Sequence, residues 1–128
     1  MILIKDNHLA GLGIDDRSQQ VREAVGRAKE FVLNIDPHLP IEIEVDSLEQ
    51  FDVALAAGPS VILLDNMSLE NMAEAVARRQ QAGSSTLLEA SGGVTLTTVR
   101  AIAATGVDRI SVGALTHSAP ALDLALDF

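Results

Sequence analysis

Hydrophobic and polar positions fall into two alternating periods along the chain. Short apolar runs cover Met1–Ile4, Val61–Leu64, Thr86–Leu88 and Ile110–Val112, and Ile41–Val45 alternates strictly, with Ile41, Ile43 and Val45 on one face and Glu42 and Glu44 on the other. These read as strands. Between them the apolar residues recur at helical spacing. Val21, Ala24, Val25, Ala28, Phe31, Val32 and Ile35 form one stripe, capped by Asp16 or Ser18 and stopped by Pro37 and Pro40. Leu48, Phe51, Leu55 and Ala56 form a second, opened by a Ser47/Gln50 capping box and closed at Gly58. Leu69, Met72, Ala73 and Val76 form a third, capped by Ser68, with Arg78 and Arg79 in its last turn and Gly83 beyond. Leu96, Val99, Ile102 and Ala103 form a fourth, capped by Thr95 or Thr97 and ended at Gly106. Leu9 to Asp15, with Gly11 and Gly13, reads as a loop, and the pattern assigns no element to the apolar tail from Ser118 to Phe128.

The predicted order is β, α, β, α, β, α, β, α, β. Near-continuous apolar strands alternating with amphipathic helices imply an α/β fold with a parallel sheet under helical cover. Two architectures satisfy that order: an open doubly wound sheet, or part of a (β/α) barrel. The first turn lacks the glycine fingerprint of a dinucleotide-binding fold, which favours the barrel. No linker divides the chain, so residues 1–128 are read as a single domain.

Composition narrows the function classes. With 48% hydrophobic residues over 128 positions, the chain can build a core. A net charge of −9, with 2% aromatics and neither Trp nor Tyr, is wrong for a nucleic-acid surface, which needs basic residues and stacking rings. No cysteine is present, which removes thiolate chemistry, disulfides and Cys-based zinc sites. No apolar run reaches membrane-span length and the first residues do not form a signal peptide, so a soluble, cytoplasmic domain with no membrane partner is expected.

The chemistry collects where the strands end. Lys5, Glu44, Asp65, Glu89 with Ser91-Gly92-Gly93, and Gly113 each follow or close an apolar run. In parallel α/β folds that edge is where ligands bind, so these residues are expected to converge on one mouth. A strand, a glycine turn and a helix N-terminus after Glu89 would aim several backbone N–H groups at one anion. Gly93, Gly113 and their neighbours leave backbone N–H groups open to phosphate oxygens, and Lys5 adds a point charge. Glu44 and Asp65 are acceptors suited to sugar hydroxyls, or to Mg²⁺ held between carboxylate and pyrophosphate. Together these groups describe a phosphosugar site. His8, beside Lys5, suits an orienting role; His117 follows the final strand, and His38 lies in a connection between prolines. No Ser-His-Asp triad or paired-His metal motif fits the spacing.

Five motifs stand in order: Ile4-Lys5-Asp6-Asn7-His8, Ile43-Glu44-Val45-Asp46, Leu63-Leu64-Asp65-Asn66, Glu89-Ala90-Ser91-Gly92-Gly93, and Thr105-Gly106-Val107-Asp108 followed by Val112-Gly113-Ala114-Leu115-Thr116-His117-Ser118. Over essentially its whole length the chain thereby resembles quinolinate phosphoribosyltransferase. The resemblance implies the C-terminal part of a TIM-like barrel. It also implies transfer of a phosphoribosyl group from phosphoribosyl pyrophosphate to quinolinate, with Mg²⁺, giving nicotinate mononucleotide, pyrophosphate and CO₂ in NAD biosynthesis. By motif, Lys5 contacts phosphate or the substrate's acidic groups, and Glu44 and Asp65 hold ribose hydroxyls directly or through the metal. Ser91, Gly92, Gly93, Gly113 and Ala114 bind the 5′-phosphate, with His8 and Asn66 behind them as orienting residues.

Members of that family carry an N-terminal α/β domain and earlier barrel strands, which bear the arginines and a second lysine at the reacting centre; no counterpart of these is recognised here. The chain is therefore expected to supply the phosphosugar half of the site, and to form homo-oligomers or pair with a missing N-terminal half through the exposed edge at Met1–Ile4. Two alternatives share the fold: a non-catalytic phosphate-binding fragment or split subunit, and a molybdenum-transport-associated relative with a different acceptor.

Overall fold

The computed structural model describes residues 1–117; the tail from Ser118 lies outside the described residues. Five strands form one sheet: β1 (Ile2–Ile4), β2 (Ile41–Val45), β3 (Val61–Asp65), β4 (Leu87–Ser91) and β5 (Arg109–Ile110). All pairings are parallel and the spatial order is β1-β2-β3-β4-β5. This order decides between the two candidate architectures. A doubly wound sheet starts in the middle and reverses, which puts helices on both faces. A monotonic order with right-handed crossovers puts every helix on one face, as in a barrel wall.

The helical layer consists of α1 (Asp6–Ala10), α2 (Arg17–Ile35), α3 (Leu48–Ala57), α4 (Leu69–Gln81), α5 (Val99–Ala104) and α6 (Ala114–His117). Their N-caps follow the side-chain chemistry: Asp16 accepts from Gln19 N–H at 2.9 Å, Ser47 from Gln50 N–H at 3.4 Å, and Ser68 from Asn71 N–H at 3.2 Å. Gln50 does not complete a capping box with Ser47; its side-chain amide instead donates to Asp46 Oδ1 at 2.8 Å. Ile4, Ile41, Ile43, Val45, Ile62, Leu64, Leu88 and Ala90 point under the helices and meet Val21, Val25, Val32, Phe51, Met72 and Ile102 in one core. Each of the larger of these side chains, fully buried, contributes about 1.5–3 kcal/mol. At the opposite edge of the sheet from the glycine turn, Asp108 accepts from Leu88 N–H at 2.8 Å and pairs with Arg79, tying α4 to the start of β5.

Several expectations are corrected. Asp6–Ala10 is a helix, where the sequence reads as a polar stop and a loop; Leu9 is its buried anchor. Phe31 and Ile35 are exposed at the far end of α2, Ala54 rather than Ala56 faces the core from α3, and Ala75 rather than Ala73 from α4. Strand β4 runs on to Ser91, so Glu89 lies within it, and β5 starts at Arg109 and ends before Val112. Leu96, expected on the helix stripe, is 96% exposed because α5 begins only at Val99.

Candidate functional site

The strand ends meet at one edge of the sheet, on the face turned away from the helices. Strand alternation places Glu42, Glu44, Leu63, Asp65, Glu89 and Ser91 on that face. The register sets Glu44 opposite Leu63, Leu63 opposite Glu89, Glu89 opposite Arg109, and Asp65 opposite Ser91.

The glycine turn follows β4 directly. Gly92 and Gly93 both take positive φ, +90° and +57°. Gly92 has a steric reason as well: a Cβ there would lie 2.2 Å from Asn66 Oδ1 and 2.9 Å from Asn66 N. Asn66 is itself left-handed at φ 52°, and its N–H donates to Ser91 O at 2.9 Å. The turn after β3 and the turn after β4 are thus locked together. Asn66 Nδ2 also donates to Asp65 Oδ2 at 2.8 Å, which orients that carboxylate.

Ser91, Gly92, Gly93, Val94, Thr95, Ser111, Gly113 and Ala114 line a cleft of about 540 Å³. Among the described residues, no protein acceptor takes the backbone N–H of Gly92, Gly93 or Val94. The expected helix N-terminus is not part of this arrangement. Val94–Thr98 separates the turn from α5, and Thr95 and Thr98 satisfy one another: Thr95 N–H donates to Thr98 Oγ1 at 2.9 Å, and Thr98 N–H to Thr95 Oγ1 at 3.2 Å. The open N–H groups belong to the turn itself.

Glu44 and Asp65 converge in a second, smaller cleft of about 60 Å³, shared with Asp6, Leu9, Arg17, Val45, Asp46 and Gln50. Burial raises the Glu44 pKa above its ordinary value; the charge of Asp65, and behind it Asp6 and Asp46, adds to the rise, while Lys5 opposes it. A concentration of acceptors held against their own repulsion suits hydroxyl groups or a cation. Among the described residues, no three His, Asp or Glu side chains converge into a protein-only metal cage.

The sequence-predicted residues therefore divide. Ser91, Gly92, Gly93, Gly113 and Ala114 share the large cleft; Glu44 and Asp65 share the small one, joined to it by the Asp65–Ser91 pairing and the Asn66–Gly92 contact. Lys5 lies at the N-terminus of α1, close enough for its charge to act on Glu44. His8 lines neither cleft; its Nδ1 accepts the Lys5 backbone N–H at 3.0 Å, fixing the backbone that carries the lysine. Sequence reasoning missed Arg17 and Ser111. Arg17 left a signal, since a cation in a helix's first turn opposes the macrodipole and calls for another reason to be there. Ser111, inside an apolar run, left none. Its hydroxyl donates to Glu89 Oε1, and Glu89 Oε2 lies 4.0 Å from Arg109 Nη1.

Comparison with known proteins places this geometry. Residues 1–127 match the family model described as quinolinate phosphoribosyl transferase, C-terminal domain. The nicotinate-nucleotide pyrophosphorylase [carboxylating] of Mycobacterium leprae is 47% identical over 126 residues, covering 98% of this chain and 40% of that protein. The probable nicotinate-nucleotide pyrophosphorylase [carboxylating] of Bacillus subtilis is 39% identical over 127 residues, covering 98% and 39%. The structure of the nicotinate-nucleotide pyrophosphorylase from Francisella tularensis superposes with a TM-score of 0.75 at 37% identity, covering 90% of this chain and 36% of that one. That from Ehrlichia chaffeensis gives 0.74 at 38% identity, covering 91% and 38%. The chain spans about two fifths of the length of the curated relatives it matches. By sequence and by fold it belongs to the quinolinate phosphoribosyl transferase family, matching the C-terminal domain.

Proposed function

We propose that this chain supplies the phosphosugar half of a quinolinate phosphoribosyltransferase site. The reaction is transfer of phosphoribose from phosphoribosyl pyrophosphate to quinolinate, with release of pyrophosphate and CO₂ and formation of nicotinate mononucleotide, a step of NAD biosynthesis. The observation that carries this reading is the convergence of two glycine-bearing strand ends, Ser91-Gly92-Gly93 and Ser111 to Ala114, around one cleft whose turn N–H groups have no acceptor among the described residues. Such groups meet a phosphate without the desolvation and entropy costs of long cationic side chains.

In this reading the 5′-phosphate sits in the glycine cleft, and the ribose extends toward Asp65 and Glu44, whose carboxylates accept from its hydroxyls. Asn66 holds Asp65 in place, and the Lys5 ammonium offsets the phosphate charge at the mouth. The donor set also fits Mg²⁺. This cation keeps several waters and binds through one or two carboxylates plus substrate phosphates, so Glu44 and Asp65 suffice where a protein-only cage is lacking. Bound there, it would neutralise the departing pyrophosphate. The groups that grip the pyridine acid are assigned to a portion of the enzyme outside this chain. Among the described residues the outer edge of β1 is unpaired, and Met1 and Leu3 are exposed there, which supports pairing with further barrel elements or with another copy.

A ligand that binds only the folded chain raises its Tm. Phosphoribosyl pyrophosphate with Mg²⁺ is expected to raise the Tm of the wild-type chain, and Asp65→Ala to abolish the shift while leaving the ligand-free Tm nearly unchanged. An equal shift in both proteins contradicts the assignment of Asp65 to the ribose side of the site.

A further inference from the structure

Ser111 is one of the hydroxyls facing the phosphate cleft, yet its proton is already committed. Ser111 Oγ–H donates to Glu89 Oε1, a carboxylate acceptor with no proton of its own to give back. Glu89 is held for this task from two sides. It lies within β4, paired in register with Leu63 on one side and Arg109 on the other. Its second oxygen faces Arg109 Nη1 at 4.0 Å, and its side chain is only 14% exposed. A serine whose hydrogen points to the Glu89 carboxylate shows the cleft only lone pairs. Ser91, two residues beyond Glu89 on the same strand face, has no such tether among the described residues.

We infer that Glu89 is a positioning residue that sets the polarity of the cleft floor, holding the Ser111 proton so that Ser111 does not donate to the phosphate and the anion is left to Ser91 and the backbone N–H groups of the turn. This rests on the phosphosugar reading and deepens it. Two hydroxyls on one floor are thereby set apart, Ser91 toward the anion and Ser111 toward Glu89. A sulfate ion, which carries no hydrogen at neutral pH, meets only lone pairs at Ser111 and reads this setting directly, whereas inorganic phosphate keeps a P–OH that can donate to Ser111 Oγ.

The test is a double-mutant cycle on the full 128-residue chain, with sulfate as the probe and affinity read by NMR titration or calorimetry. Glu89→Ala removes the acceptor and frees the Ser111 proton for the anion. It also removes a negative charge, and the Ser111→Ala background separates the two effects. The expected result is sulfate binding tightened about five- to ten-fold by Glu89→Ala when Ser111 is present, the yield of one new charge-assisted hydrogen bond. In the Ser111→Ala background the tightening is lost or much reduced. Should Glu89→Ala fail to fold, judged by its amide spectrum, Glu89→Gln is used in the same cycle; its amide can donate to Ser111 Oγ and release the same proton. Unchanged sulfate affinity, or equal tightening in both backgrounds, overturns the inference while leaving the anion seat intact. Binding of neither sulfate nor ribose 5-phosphate by the wild-type chain overturns the phosphosugar reading, and this inference with it.

Discussion

The contact between Gly92 and Asn66 explains a residue choice that sequence could only half explain. A glycine after a buried strand is legible as a turn, because φ above zero is costly for other residues. What was not legible is that the Cα also faces the side chain and backbone of Asn66, twenty-six positions earlier. Gly92→Ala therefore meets two penalties, left-handed strain and a clash with a neighbouring turn. It is expected to destabilise the chain by roughly 2–4 kcal/mol in chemical denaturation. Because the two nearest contacts are with the Asn66 side chain, Asn66→Gly in the same molecule should recover part of that loss. Asn66 already adopts positive φ, so glycine is compatible there. A loss below about 0.5 kcal/mol, or no recovery in the double variant, would contradict the interlock.

At the scale of elements, periodicity located most segments but misjudged their faces where tertiary context decides. The long stripe of α2 holds at Val21, Val25, Ala28 and Val32; Phe31 and Ile35 fall to its flank at 100° per residue and are exposed. Helix α1 was hidden because a five-residue helix is too short to show a period, and its polar first turn reads as a loop. Strand β2 shows the opposite case. Its alternation was plain, but that its outward glutamates line a barrel interior followed only from the strand order. Glu42 is 3% exposed on that face. Burial raises its pKa above the ordinary 4.5; the charges of Glu89 and Glu44 add to the rise and Arg109 opposes it. An acid with a raised folded-state pKa holds more protons folded than unfolded, so stability falls as pH rises from the ordinary value through the raised one. The cost grows as pH climbs from the ordinary value and is complete once pH has passed the raised one. Glu42→Gln should raise Tm by a few degrees at pH 7, and the gain should shrink as pH is lowered toward 4.5. A gain independent of pH, or a loss at pH 7, would show that the Glu42 charge is satisfied by partners.

At the scale of the whole molecule, strand–helix alternation made the α/β class legible, and the motifs at the strand ends pointed to one edge. Alternation alone could not distinguish a doubly wound sheet from a barrel wall, since both share it; the sequential order of five parallel strands does. The division of the site into a glycine cleft and an acidic cleft was also beyond the sequence, because it depends on which turns touch. The assignment of Ser91, Gly92, Gly93, Gly113 and Ala114 to a phosphate, and of Glu44 and Asp65 to the sugar, is a claim about where one small molecule lies across both clefts. It is tested most directly by titrating isotopically labelled chain with ribose 5-phosphate and following each backbone amide. The account predicts saturable shifts concentrated at Gly92, Gly93, Val94 and Gly113, accompanied by smaller shifts at Asp65 and Asn66. Shifts centred elsewhere on the chain, or none at millimolar ligand, would contradict it.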